Sequence, residues 1–146
     1  MISLTNRQLH LWKLRRSGLR TSEIASRLGI SRQAVHKGLK VVEAKVYKAL
    51  ISAAMASRVE IRRVDVEKGL LVGWSPWLGV DVYITFSAKN GIQIWFKHEG
   101  NCGECPLRED CKRILLSEAE ERGIALPEDL EPSRLAELLF EKLLEG

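Results

Sequence analysis

The hydrophobic period of this 146-residue chain changes once, at Arg58. Before that point, apolar residues recur at threes and fours: Leu4, Leu11, Trp12 and Leu14, then Ile24, Ala25 and Leu28, then Val35 and Leu39. The recurrence continues through Val42, Val46, Ala49, Leu50, Ala53 and Ala54. That spacing belongs to helices with one buried face. After Arg58 the period drops to two. Val59, Ile61, Val64 and Val66 fit a strand with one slip, and Val80, Val82, Ile84 and Phe86 alternate cleanly, as do Ile92, Ile94 and Phe96. The expected fold is α+β: a helical N-terminal domain over residues 1–57, then an α+β domain over 58–146 with a small antiparallel sheet and C-terminal helices.

Local signals place the boundaries. Thr5 with Gln8 has the form of a capping box, and Gly18 ends the first helix. Thr21 or Ser22 caps a second helix closed by Gly29, and Ser31 caps a third. From Lys40 to Ser57 the pattern predicts a fourth helix or a continuation of the third. Lys68-Gly69 and Asn90-Gly91 supply hairpin turns, with Leu70 to Trp74 returning between them. Pro106 to Arg122 reads as a helix stopped by Gly123, Pro127 and Pro132 mark a linker, and Ser133 to Glu145 forms a short terminal helix.

Charge divides the chain at the same place. Residues 1–57 hold 11 Lys/Arg against two acids, Glu23 and Glu43, a formal +9, whereas residues 58–146 hold 12 against 17, a formal −5. A basic front joined to an acidic back points to a polyanionic partner for the front alone. No apolar run approaches the roughly 20 residues of a membrane span. The opening MISLTNRQ lacks the apolar stretch of a secretory signal, so a cytoplasmic location is expected. Only three Asn and three Gln beside 29% charged residues is the composition of a thermophile.

The segment Thr21 to Lys37 has the form of a helix-turn-helix. Ala25 is small where two helices must approach, Gly29 suits the tight turn, and Ile24, Leu28, Ile30 and Val35 fall at core positions. Arg32, Gln33, His36, Lys37 and Lys40 then share one polar stripe on the third helix. Arg and Gln bond bidentately to guanine and adenine edges, while Lys suits phosphate. Gly38 interrupts that helix, either for close packing or to bend it.

Residues 4–50 resemble known families through Leu4-Thr5-x-x-Gln8, Leu14-Arg15, Gly18, Glu23-Ile24-Ala25-x-x-Leu28-Gly29-Ile30-Ser31-Arg32-x-x-Val35. The pattern is similar to the LuxR-type and sigma-region-four helix-turn-helix. With Lys40, Lys45 and Lys48-Ala49 it resembles, more narrowly, the archaeal Tfx-type transcriptional regulators. The resemblance implies a sequence-specific transcription regulator, not an enzyme, whose third helix enters the major groove of double-stranded DNA. Thr21, Ser22 and Ser31 would touch phosphates. Such regulators commonly bind as homodimers on two half-sites, and the Ala- and Val-rich seam after Lys40 is a candidate dimer contact or else the face that packs on the sheet. The alternatives are a protein-interaction module of the transcription apparatus and, less favoured, a nucleic-acid-processing enzyme.

Cys102-x2-Cys105-x5-Cys111 is the second constellation with chemistry in it, and His98 four residues upstream would complete a Cys3His zinc set. The stretch also resembles the last three ligands of the iron–sulfur loop in endonuclease III-type DNA glycosylases, although Trp95 stands where that family has its first cysteine. Zinc, an iron–sulfur cluster, a disulfide and bare thiols all remain open at this point. Trp74, Pro76, Trp77 and Trp95 are expected in the core or at a contact between the domains rather than in a small-molecule site.

Overall fold

Each helix of the basic front starts and stops on a chemical signal, and the computed structural model shows them in place for residues 2–97 and 102–145, the part of the chain described. In α1 (Asn6–Arg16) the Thr5 hydroxyl accepts from Gln8 N–H while the Gln8 side chain accepts from Thr5 N–H. In α2 (Thr21–Leu28) the cap is Arg20, not Thr21 or Ser22. Arg20 has no capping side chain of its own. The Glu23 carboxylate accepts from both the Arg20 backbone N–H, at 3.2 Å, and its Nε, at 2.8 Å, so an acid inside the first turn does the capping. Gly29 closes α2 at φ 67°, and the Ser31 hydroxyl accepts from Ala34 N–H to open α3.

No fourth helix follows. α3 (Arg32–Ala56) runs unbroken for 25 residues, about 37 Å at 1.5 Å per residue. Its first half joins Leu11, Leu14, Ile24 and Ala25 through Val35 and Leu39 in a trihelical core. Gly38 serves that contact: a Cβ there would lie 2.7 Å from Cδ1 of Leu11. The glycine therefore allows close approach of α1. The second half of α3 turns Val42, Val46, Leu50 and Ala54 onto the sheet. The seam considered for a dimer contact is thus buried inside the protomer, and a second copy cannot reach it.

The sheet is an antiparallel meander of β1 (Glu60–Asp65), β2 (Leu70–Ser75), β3 (Val80–Ser87) and β4 (Gly91–Phe96), in that spatial order. The slip expected in the first strand is a bulge: Ile61 faces Gly73, Arg63 faces Val72, and Arg62 is skipped. Gly73 sits where any Cβ would collide with the Val59 side chain and the Glu60 carbonyl. Leu71, Val82, Ile84 and Phe86 face α3, whereas Leu70, Val72, Tyr83 and Trp95 face α4 (Arg108–Glu121) and α5 (Pro132–Leu144). Helices on both faces explain why Leu70-Leu71-Val72 does not alternate. Tyr83 stacks on Phe140 at 4.3 Å, and Trp95 reaches the same ring at 6.3 Å.

A polar network ties α1 and the β3–β4 turn to α4. Ala88 N–H donates to both Glu121 oxygens, at 2.9 and 3.1 Å, and Trp12 Nε1 donates to one of them. Arg122 donates to the carbonyls of Lys68, Gly69, Phe86 and Glu118, closing the ends of two strands. Glu118 is fully buried; Asn90 Nδ2 donates to its Oε2 at 3.0 Å, and Arg122 sits 3.6 Å from its Oε1. Burial pushes the Arg122 guanidinium down, with Glu118 and then Glu121 pulling it back up.

Candidate nucleic-acid interface

The polar stripe on α3 faces solvent along its length: Arg32, Gln33, His36, Lys37 and Lys40 are all exposed. The reason is geometric. Val35 and Leu39 point into the trihelical core, which turns His36, Lys37 and Lys40 outward, and Arg32 and Gln33 lie exposed in the first turn. No acidic residue lies between Glu23 and Glu43 in the sequence, so Arg32 to Lys40 carry only neutral and positive side chains, with Glu43 and Glu67 bordering the stripe at His36 and Lys40. Ser22 and Ser31 are exposed, and Thr21 is half-buried. Ser31 spends its hydroxyl on the cap of α3, so any phosphate contact from it would share that oxygen.

His36 and Lys40 also border a cleft of about 140 Å³ with Arg15, Thr21, Leu39, Glu43 and Glu67. The sequence does not place Arg15, Glu43 and Glu67 together, because they come from three separate elements. Beside the cleft, Arg16 lies 4.5 Å over the Trp12 ring. Its burial, reinforced by the Arg122 charge, brings its pKa down to about 10, while Glu67 and Glu43 oppose the shift. It stays charged at neutral pH. Lys45 is drawn away from solvent partners, its Nζ donating to the Ser3 carbonyl and the Gln8 side chain, both at 3.2 Å.

The cysteines lie together at the opposite end of the sheet. Cys102 opens a 3-10 turn (Cys102–Glu104), Cys105 precedes Pro106, and Cys111 sits in the first turn of α4. All three are free thiols, Cys105 exposed and the others half-buried. Burial raises the Cys111 pKa, and the neighbouring Cys105, Cys102 and Asp110 raise it further, so the three sulfurs share one electrostatic neighbourhood. Among the described residues, no three His, Cys, Asp or Glu side chains converge as a metal cage. His98, the fourth ligand expected for zinc, lies outside the described residues.

The aromatic turn departs from expectation. Trp77 is 82% exposed at the β2–β3 tip with Pro76 exposed beside it, and neither lies in the core. Trp74 is half-buried, with the Arg62 guanidinium 5.3 Å over its ring. Trp95 is half-buried and packs against the cluster under α4 and α5, donating from Nε1 to Thr85 Oγ1 at 3.3 Å.

No family model, curated protein or solved structure matches the chain. Among the described residues, no helix is long and apolar enough to cross a membrane.

Proposed function

We propose that the protein is a sequence-specific regulator of transcription that binds duplex DNA through the N-terminal half of α3. The observation that carries this reading is the shared exposure of Arg32, Gln33, His36, Lys37 and Lys40 on the capped first turns of α3, before its one acid, Glu43. A helix about 10–12 Å across fits the B-form major groove, about 12 Å wide. Arg32 and Gln33 sit at the start of the helix to meet base edges, and Lys37 and Lys40 flank them for phosphates. The formal +9 of residues 1–57 supplies the sequence-independent attraction. The resemblance of residues 4–50 to Tfx-type regulators supports the same reading and its cytoplasmic setting. Two copies would occupy half-sites about 34–36 Å apart, meeting through a surface other than the buried α3 seam.

Titration of a labelled duplex with the full chain across a salt series tests the proposal. Log affinity should fall linearly with log salt, with a slope near −0.9 for each phosphate neutralised. Binding that does not change with salt would overturn it.

A further inference from the structure

The cysteine loop has a use that needs no DNA. We infer that Cys102 and Cys105 are a reversible dithiol–disulfide pair oxidised by peroxide, with Cys111 a bystander. The backbone brings the pair together: Cys105 N–H donates to the Cys102 carbonyl at 3.3 Å. A turn closed between i and i+3 holds the two Cα atoms within about 7 Å. A 3-10 turn also stacks side chains i and i+3 on one side. A disulfide needs a Cα separation of about 4.4–6.8 Å, so little backbone movement is required. Pro106 follows directly and Arg108 N–H donates to the Cys105 carbonyl at 3.2 Å, which anchors the turn to the start of α4.

The surroundings sort the three thiols. Cys105 is exposed and Cys102 half-buried, within reach of a small oxidant. The Arg108 guanidinium at the start of α4 is taken up by Glu131 and Glu109, each at 2.8 Å. Cys111 is the poor nucleophile of the three, because burial and its neighbours keep it protonated. Cys111 is therefore the bystander. The Cys102 thiolate takes one oxygen from hydrogen peroxide, giving a sulfenic acid and, with one proton, water. The Cys105 sulfur then displaces that hydroxyl as a second water and forms the S–S bond. The two thiols lose two electrons and two protons, and the peroxide becomes two waters.

Full-length protein, purified under reductant without oxygen and then treated with hydrogen peroxide, decides the matter. Titratable thiols should fall from three to one and return to three with dithiothreitol. Trypsin releases residues 98–108, which contain both Cys102 and Cys105, separately from 109–112, which contain Cys111. The first peptide should be lighter by two hydrogen atoms and the second unchanged. Cys105→Ser should leave a sulfenic acid on Cys102 that dimedone traps, and Cys111→Ser should still lose both remaining thiols. A link between the two peptides, an unchanged thiol count, or co-purifying zinc that shields all three thiols would each overturn the inference.

Discussion

The indole N–H of Trp12 in α1 donates to Oε2 of Glu121 in α4 across 3.3 Å, joining residues 109 positions apart. The bond fastens the first helix of the trihelical unit to the helix that carries the cysteine loop at its other end. Trp12 is fully buried and meets Phe86 edge-on at 5.3 Å. Trp12→Ala should cost about 3–5 kcal/mol, as large-to-small changes at buried aromatics do. Trp12→Phe should cost less, roughly 1 kcal/mol for the lost hydrogen bond plus a small void, because Glu121 keeps its Ala88 donor. Denaturant midpoints of the two variants measure both; equal losses would show that the indole N–H, which both variants lack, and not the bulk of the ring carries the contribution of Trp12.

Gly38 sets a helix preference against a steric limit. Replacing a mid-helix glycine by alanine is worth about 1 kcal/mol of helix stability. Here the new methyl would press on buried Leu11, and overpacking a core costs roughly 1–3 kcal/mol. Gly38→Ala should therefore give no gain, and Gly38→Val a clear loss in denaturation midpoint. A stabilised alanine variant would show that Leu11 moves aside freely.

Two substitutions on the exposed stripe separate attraction from reading. Lys40→Ala should weaken binding to all duplexes alike and reduce the salt slope by about one. Gln33→Ala should cost about 1–3 kcal/mol on the preferred site alone. Competition binding with specific and random duplexes distinguishes them. Equal losses for Gln33→Ala would assign it to the backbone and leave His36 as the next reader.

The link between Arg108 and Glu131 makes a pH prediction. The Arg108 guanidinium donates twice to Glu131, at 2.8 and 3.0 Å, and this hydrogen bonding holds the carboxyl below its ordinary value of 4.5, with burial opposing. A depressed acid stabilises the fold above its unfolded value and loses that contribution as the pH falls through the folded one. The tie between α4 and the start of α5 should be intact at neutral pH and loosen on acidification below 4.5. An NMR titration of Glu131 should show a midpoint below 4.5 that returns upward in Arg108→Gln; an unmoved midpoint would mean the pair is not formed in solution.

Features decided by neighbours in the chain were legible. Thr5 with Gln8, Ser31, and the αL glycines Gly29 and Gly91 each act through backbone groups a few residues away, so their roles follow from the residue types. The slip at Ile61 was visible because a bulge shifts the period by one. Long-range partners were not legible. The Val42, Val46 and Leu50 spacing shows that a face needs cover but not what covers it, and both a sheet and a second copy satisfied the pattern. Glu118 and Arg122 look like an exposed i,i+4 pair in sequence, yet burial makes them the tie between α4 and two strand ends. Arg20 was missed as a cap because the capping oxygen belongs to Glu23. Trp77 was expected in the core or at a contact between the domains, yet the chain turns at that point and leaves the ring outside.

The continuity of α3 has a mechanical consequence. Lys37 and Leu50 ride on one shaft, so the end that would meet DNA cannot swivel while the strands stay still. A regulator with a flexible linker changes its grip by freeing or reorienting a head. A rod anchored at both ends transmits instead: tilting it at the sheet carries the reading residues through an arc, with no joint between to absorb the motion. A shift of α3 at Ala56 would therefore reach Arg32, about 36 Å away, as displacement of the whole body.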